Sequence, residues 1–134
     1  MQAVIFVTDD EQAIRSSITK RLTRQGHHVV GYESGEALLE GLHHNLPDLV
    51  LLDVRMPGIS GLEALKHVRQ LAPATIVIML TAYGTVQDAV ETMKLGAYDF
   101  MIKSVDLEGI DAVIARALGV LRLRQRRVGT GPAG

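Results

Sequence analysis

Leu49-Val50-Leu51-Leu52-Asp53 is a run of four apolar residues closed by an acid, and its plan recurs along the chain. Ala3–Val7 is apolar and runs into Thr8-Asp9-Asp10-Glu11. Ile76–Leu80 runs into Thr81, and the shorter Phe100–Ile102 runs into Lys103. None of these alternates apolar with polar residues, the pattern expected of strands covered on both faces. His28–Tyr32 is a weaker fifth candidate, with Gly26 before it and Gly31 inside it.

The stretches between the strands have helical spacing. Ile14, Ile18 and Leu22 recur every fourth residue and predict a helix over about Glu11–Gln25, ended by Gly26. Ala37, Leu38 and Leu42 predict a shorter one, capped by Ser34 and stopped before Pro47. Leu62, Leu65, Val68 and Leu71 predict a third, stopped before Pro73. Val86, Ala89, Val90, Met93 and Leu95 predict a fourth ending at Gly96, and Leu107, Ile110, Val113, Ile114, Ala117 and Leu121 a long fifth. Five strand–helix units in succession imply parallel strands with right-handed crossovers. The expected fold is α/β: a flavodoxin-like (βα)5 three-layer sandwich around a sheet of order 2-1-3-4-5. Its ligand crevice lies at the carboxyl ends of the first and third strands.

Bulk properties narrow the function. The 134 residues suit one domain, 47% hydrophobic and 22% charged. With no cysteine, disulfides and thiolate metal sites are excluded. No apolar run approaches the roughly 20 residues of a membrane helix, and the N-terminus shows no basic region or cleavage signal, so a cytoplasmic location is expected. A net charge of −1 argues against direct nucleic-acid binding by the body of the chain. The exception is the tail containing Arg122, Arg124, Arg126 and Arg127, read as a linker helix toward an effector absent from this sequence. The expected division is a domain over 1–120, then a basic helix extension and flexible tail over 121–134.

The polar residues that end the strands converge on one edge of such a sheet. Asp9, Asp10 and Asp53 together would repel strongly, and a divalent cation relieves this. Oxygen ligands without His or Cys favour a hard ion, Mg²⁺ first and Mn²⁺ as a substitute. Asp10 and Asp53 are the expected direct ligands. Asp9 would hold a bound water, and the backbone carbonyl of Arg55 would complete the protein's share. A strand-end carboxylate can attack phosphorus and form an acyl phosphate. The charge developing on the transferred oxygens would meet the metal, the Lys103 ammonium, the Thr81 hydroxyl and backbone N–H groups near Ala82. An ionised Asp53 needs no general base.

Asp9-Asp10-Glu11 with Ile14-Arg15 downstream, Leu52-Asp53-Val54-Arg55-Met56-Pro57-Gly58, Leu80-Thr81-Ala82, and Gly96-Ala97-Tyr98-Asp99-Phe100 leading to Lys103 occur in an order that resembles the receiver domains of two-component response regulators. The match covers about residues 3 to 120. Within that family the chain looks most like the nitrogen-regulator class of enhancer-binding transcriptional activators. The resemblance implies that Asp53 accepts a phosphoryl group from a sensor histidine kinase and that Asp9, Asp10 and Asp53 hold Mg²⁺. It implies that Thr81 and Lys103 contact the phosphoryl group, and that Phe100 is the switch aromatic that responds as Thr81 moves. Arg55 and Tyr83 then flank the site where acyl-phosphate lifetime is tuned. Surfaces of the fourth helix, fifth strand and fifth helix would change partner preference and could form a homodimer. The chain departs from the family at Ser104, where the lysine is normally followed by a cis proline. The Lys103–Ser104 bond is then either a cis peptide, costing about 3 kcal/mol, or trans with Lys103 aimed differently. Thr8 replaces a usual apolar residue and is expected to add a hydrogen bond.

Other readings compete. A haloacid-dehalogenase-like phosphatase needs a second aspartate two residues after the nucleophile, where this chain has Arg55. A flavodoxin-type cofactor site needs a Ser/Thr/Gly-rich loop after the first strand, yet this loop is acidic. A pseudo-receiver regulated by contact alone finds support only in Ser104. Glu11 reads as a favourable acid in a helix's first turn, and Phe100 also fits plain core packing. Met79, Met93 and Met101 read as core filler. His27-His28 and His43-His44 are adjacent pairs that share neither a helix face nor a strand face, so they are not expected to bind metal.

Overall fold

The structure is a computed structural model that describes residues 2–82, 85–103 and 107–129, without the side chains of 107, 108 and 125–129. Its elements follow the expected alternation: β1 Val4–Thr8, α1 Gln12–Arg24, β2 His28–Tyr32, α2 Gly35–Leu42, β3 Leu49–Asp53, α3 Gly61–Leu71, β4 Ile76–Thr81, α4 Val86–Lys94, β5 Asp99–Ile102 and α5 Leu107–Gly129. The strands form one parallel sheet of order β2-β1-β3-β4-β5, the flavodoxin-like arrangement.

Strand side chains point alternately to the two faces, and each face builds its own core. Ile5, Val7, Leu49, Leu51, Ile78 and Leu80 meet Ile18 and Leu22 of α1 and Ile110, Ile114 and Ala117 of α5. Phe6, Val50, Leu52, Val77 and Met79 meet Leu38 of α2 and Leu65 and Val68 of α3. Covered on both sides, β3 and β4 need the unbroken apolar runs seen in the sequence. β5, read as similarly buried, is an edge strand and is half-exposed, with Ile102 open to solvent. α5 passes residue 120 without a break, and Leu121 is buried in the first core.

Helix ends are set locally. The Ser34 hydroxyl accepts from Ala37 N at 3.0 Å and starts α2, as expected. The Ser60 hydroxyl accepts from Glu63 N at 3.1 Å and starts α3, a cap not anticipated from the sequence. α1 and α4 stop where Gly26 and Gly96 take left-handed conformations (φ of 96° and 98°) that other residues adopt only with strain. We expect Ser60→Ala to lower stability by about 1 kcal/mol, read from the urea midpoint; an unchanged midpoint would show that the cap contributes nothing.

α4 departs from expectation. Val86, Val90 and Met93 form its apolar stripe, but they are 81%, 47% and 48% exposed. The residue it buries is Thr92, whose hydroxyl donates to Ala89 O at 2.9 Å within the helix. Met93 is therefore not core filler. Met79 is fully buried, and Met101 packs half-buried against the first core. A helical period marks an apolar stripe but does not say which side of the helix the sheet occupies. Thr8 is a second correction. Its hydroxyl is buried at the end of β1 without a hydrogen-bond partner among the described residues.

Candidate functional site

Asp9, Asp10 and Asp53 each offer a carboxylate oxygen within 4.8 Å of the others. β1 ends at Thr8, which delivers Asp9 and Asp10 to the sheet edge; β3 delivers Asp53 as its last residue. Asp9 and Asp53 are buried, whereas Asp10 faces solvent. Lys103, directly after β5, sends its nearly buried ammonium into the cluster. Nζ lies 2.8 Å from Asp9 Oδ2, 3.0 Å from Asp53 Oδ2 and 3.4 Å from Glu11 Oε1. Glu11 is thus the residue before α1, rather than a first-turn acid, and its carboxylate accepts no capping hydrogen bond but accepts from Lys103 Nζ.

Main-chain groups hold the remaining oxygens. Glu11 N donates to Asp9 Oδ1 at 2.9 Å, and Arg55 N donates to Asp53 Oδ1 at 3.2 Å. Burial pushes the Asp53 pKa up from 3.8 to about 7, with the Asp9 charge adding to the rise, while Lys103 and the Arg55 N–H offset it only in part. Against the expectation of an ionised Asp53, burial without a cation makes its ionisation costly near neutrality. Burial alone would lower the Lys103 pKa, but the two carboxylates outweigh it and push it up to about 12, so the ammonium persists.

The donor set fits a hard divalent cation. It consists of oxygens, and it carries more acid than Lys103 can neutralise. Asp9 Oδ2 is buried, and its one close positive neighbour among the described residues is the Lys103 ammonium at 2.8 Å, which Asp53 and Glu11 share, so the oxygen has room for a further electrophile.

Thr81 is buried at the end of β4, and its carbonyl accepts from Lys103 N at 2.6 Å, tying two expected phosphoryl contacts by main chain. Ala82 follows and is exposed. Phe100 pairs with Met79 across the sheet and packs half-buried against the second core, while Arg55 is exposed beside Asp53. Tyr83 and the Lys103–Ser104 peptide lie outside the described residues. His27 is buried and accepts from Ala3 N at its Nδ1, whereas its neighbour His28 is exposed at the start of β2.

Three supports were not anticipated from the sequence. Arg15 Nη1 donates to Asp9 O at 2.6 Å. Glu36 Oε2, from α2, accepts Ile59 N at 3.1 Å and anchors the β3–α3 loop. Gly61 lies directly against the Asp53 main chain. The Arg15 and Gly61 positions carried a readable sign, an arginine within the acidic motif and a glycine opening a helix, but neither names its partner.

The model of the response regulator receiver domain matches residues 5–115. The chain belongs to this family. Among relatives, the receiver is 35% identical over 121 residues to the regulatory protein AtoC of Escherichia coli K12, covering 90% of this chain and 26% of AtoC. It is 33% identical over 125 residues to the DNA-binding transcriptional regulator NtrC of Klebsiella pneumoniae, covering 93% and 27%. A crystal structure of NtrX from Brucella abortus superposes with a TM-score of 0.87 at 30% identity, covering 94% of this chain and 29% of that one. The receiver therefore resembles the nitrogen-regulator class and spans about a quarter of the length of the curated relatives it matches. Among its described residues, no helix is long and apolar enough to cross a membrane.

Proposed function

We propose that this receiver takes a phosphoryl group on Asp53 in a Mg²⁺-dependent reaction, with a sensor histidine kinase as donor. The observation that carries this is the approach of Asp9, Asp10 and Asp53 within 4.8 Å, with Lys103 Nζ 3.0 Å from Asp53. An Asp53 carboxylate oxygen attacks phosphorus, the phosphorus–nitrogen bond to the donor histidine breaks, and the electron pair leaves with that nitrogen. Asp9, Asp10, Asp53 and the Arg55 carbonyl would hold Mg²⁺ or Mn²⁺, which would supply positive charge to the phosphoryl oxygens. Lys103 keeps its proton and pairs with one phosphoryl oxygen. The Thr81 hydroxyl and the main chain at Ala82 donate to others. The receiver thereby assists its own phosphorylation and hydrolysis, with Arg55 and Tyr83 tuning the lifetime.

Thr81 and Phe100 then form the switch, and the faces of α4, β5 and α5 carry the change to a partner or to a second copy of the domain. The exposed Val86, Val90 and Met93 support that assignment. Residues 1–120 act as the receiver and 121–134 as a linker to an effector that controls transcription, in the cytoplasm.

Incubation with acetyl phosphate, followed by intact-mass spectrometry, tests the reading. One phosphoryl group per chain is expected with Mg²⁺ and none with EDTA. Equal incorporation under both conditions would refute metal dependence, and none under either would refute phosphoryl acceptance.

A further inference from the structure

The loop carrying Asp9 and Asp10 is braced from outside the acidic cluster. Asp9 N donates to Tyr32 O of β2 at 3.1 Å, and Asp9 O accepts Arg15 Nη1 at 2.6 Å. That carbonyl belongs to the peptide joining Asp9 to Asp10. A peptide is planar, so fixing its oxygen also fixes the direction in which the chain enters Asp10. Arg15 reaches it by lying along Gly31. A Cβ at position 31 would stand 3.3 Å from Arg15 Cγ and Cδ, so a methyl there shifts the arginine stem by a few tenths of an ångström. Glycine weakens a strand interior, and here its bare backbone forms the seat for the arginine stem.

We propose that Arg15, seated on Gly31, is a positioning residue that aims the Asp9 and Asp10 carboxylates at the cation. This rests on the reading of Asp9, Asp10 and Asp53 as the Mg²⁺ site. The sign of the effect separates positioning from charge. Arg15 is a cation beside acids, so by electrostatics alone its removal would tighten Mg²⁺ binding. Loss of positioning weakens it, as loss of an outer partner of a metal ligand does by about 10- to 100-fold.

Calorimetric titration of the full chain with Mg²⁺ tests this. Arg15→Ala is expected to bind about tenfold more weakly than the parent, and Arg15→Lys, which retains a donor, to recover part of the loss. Gly31→Ala keeps every charge and is expected to weaken binding by a smaller factor, without loss of overall stability. In acetyl phosphate labelling, the Mg²⁺ needed for half-maximal rate should rise in step while the rate at saturating Mg²⁺ holds. Parent-like or tighter binding in Arg15→Ala overturns the proposal, as does parent-like binding in Gly31→Ala should Arg15→Ala not fold. A parent chain that binds no Mg²⁺ would instead sink the underlying assignment of the site.

Discussion

Asp53→Asn is expected to take up no phosphoryl group from acetyl phosphate and, without divalent metal at pH 8, to be more stable than the parent receiver. The amide preserves the shape of the side chain but has no nucleophilic carboxylate oxygen, so incorporation falls to zero rather than by a fraction. The gain in stability comes from the same burial that shapes the site. Asp53 has a pKa of about 7 in the folded chain, against 3.8 as its ordinary value. Between those values the folded state binds more protons than the unfolded one. Stability is therefore fullest below about pH 4, is lost as pH rises toward 7, and levels off above it. The loss amounts to roughly 2–4 kcal/mol, which Asp53→Asn should recover at pH 8 while flattening the slope between pH 4 and 7. Lys103 keeps its contacts to Asp9 and Glu11 in the variant. Urea unfolding across pH in EDTA measures both effects. A variant less stable than the parent at pH 8 would mean that the Asp53–Lys103 pair outweighs the cost of burying the charge. Added Mg²⁺ should narrow the difference, because a ligand that binds only the folded state stabilises the parent.

Gly61→Ala should be the most damaging single-methyl addition among the described residues. In an ordinary helix, replacing glycine by alanine gains up to about 1 kcal/mol. Here a Cβ would collide with the Asp53 carbonyl oxygen and stand 2.7 Å from Val54 Cα and 2.8 Å from Asp53 C. These are main-chain atoms of the strand end that carries Asp53, so no rotamer change relieves the contact. Gly61 N also donates to Val54 O at 2.8 Å, which fixes the approach. We expect a loss of about 3 kcal/mol, read from the urea midpoint, together with slower phosphoryl uptake because Asp53 is displaced. A midpoint at or above the parent's would show that α3 can retreat without cost. Gly35 is a useful contrast, since the nearest atoms to an added Cβ there belong to the side chain of Ile59.

The fold was legible because strand burial leaves an unmistakable mark. Leu49–Leu52 and Ile76–Leu80 cannot be amphipathic when helices cover both faces, and the polar residues that close them fall at the sheet edge by topology alone. Asp9, Asp10, Asp53 and Lys103 were legible for that reason. What escaped depends on distance across the fold. Gly61 against Asp53 and Arg15 over Gly31 are approaches of one element to another, and a residue type does not announce which neighbour it touches. Glu11 read as a helix-start acid because its local setting favours that role, whereas its contact is Lys103, brought in from β5. α4 misled for a different reason. Val86, Val90 and Met93 have the right period, but the sheet side of that helix is occupied by Thr92.

The anchoring of α4 has a consequence for how the molecule moves. Most helices here are fastened by large aliphatic side chains sunk into a core, and dislodging one would empty a hole. α4 instead buries only Thr92, whose hydroxyl bonds within the helix's own turn. Sliding or rotating α4 would therefore uncover less apolar surface than moving a helix whose aliphatic side chains fill a core, which makes it the cheaper element to displace when the charge at the neighbouring sheet edge changes.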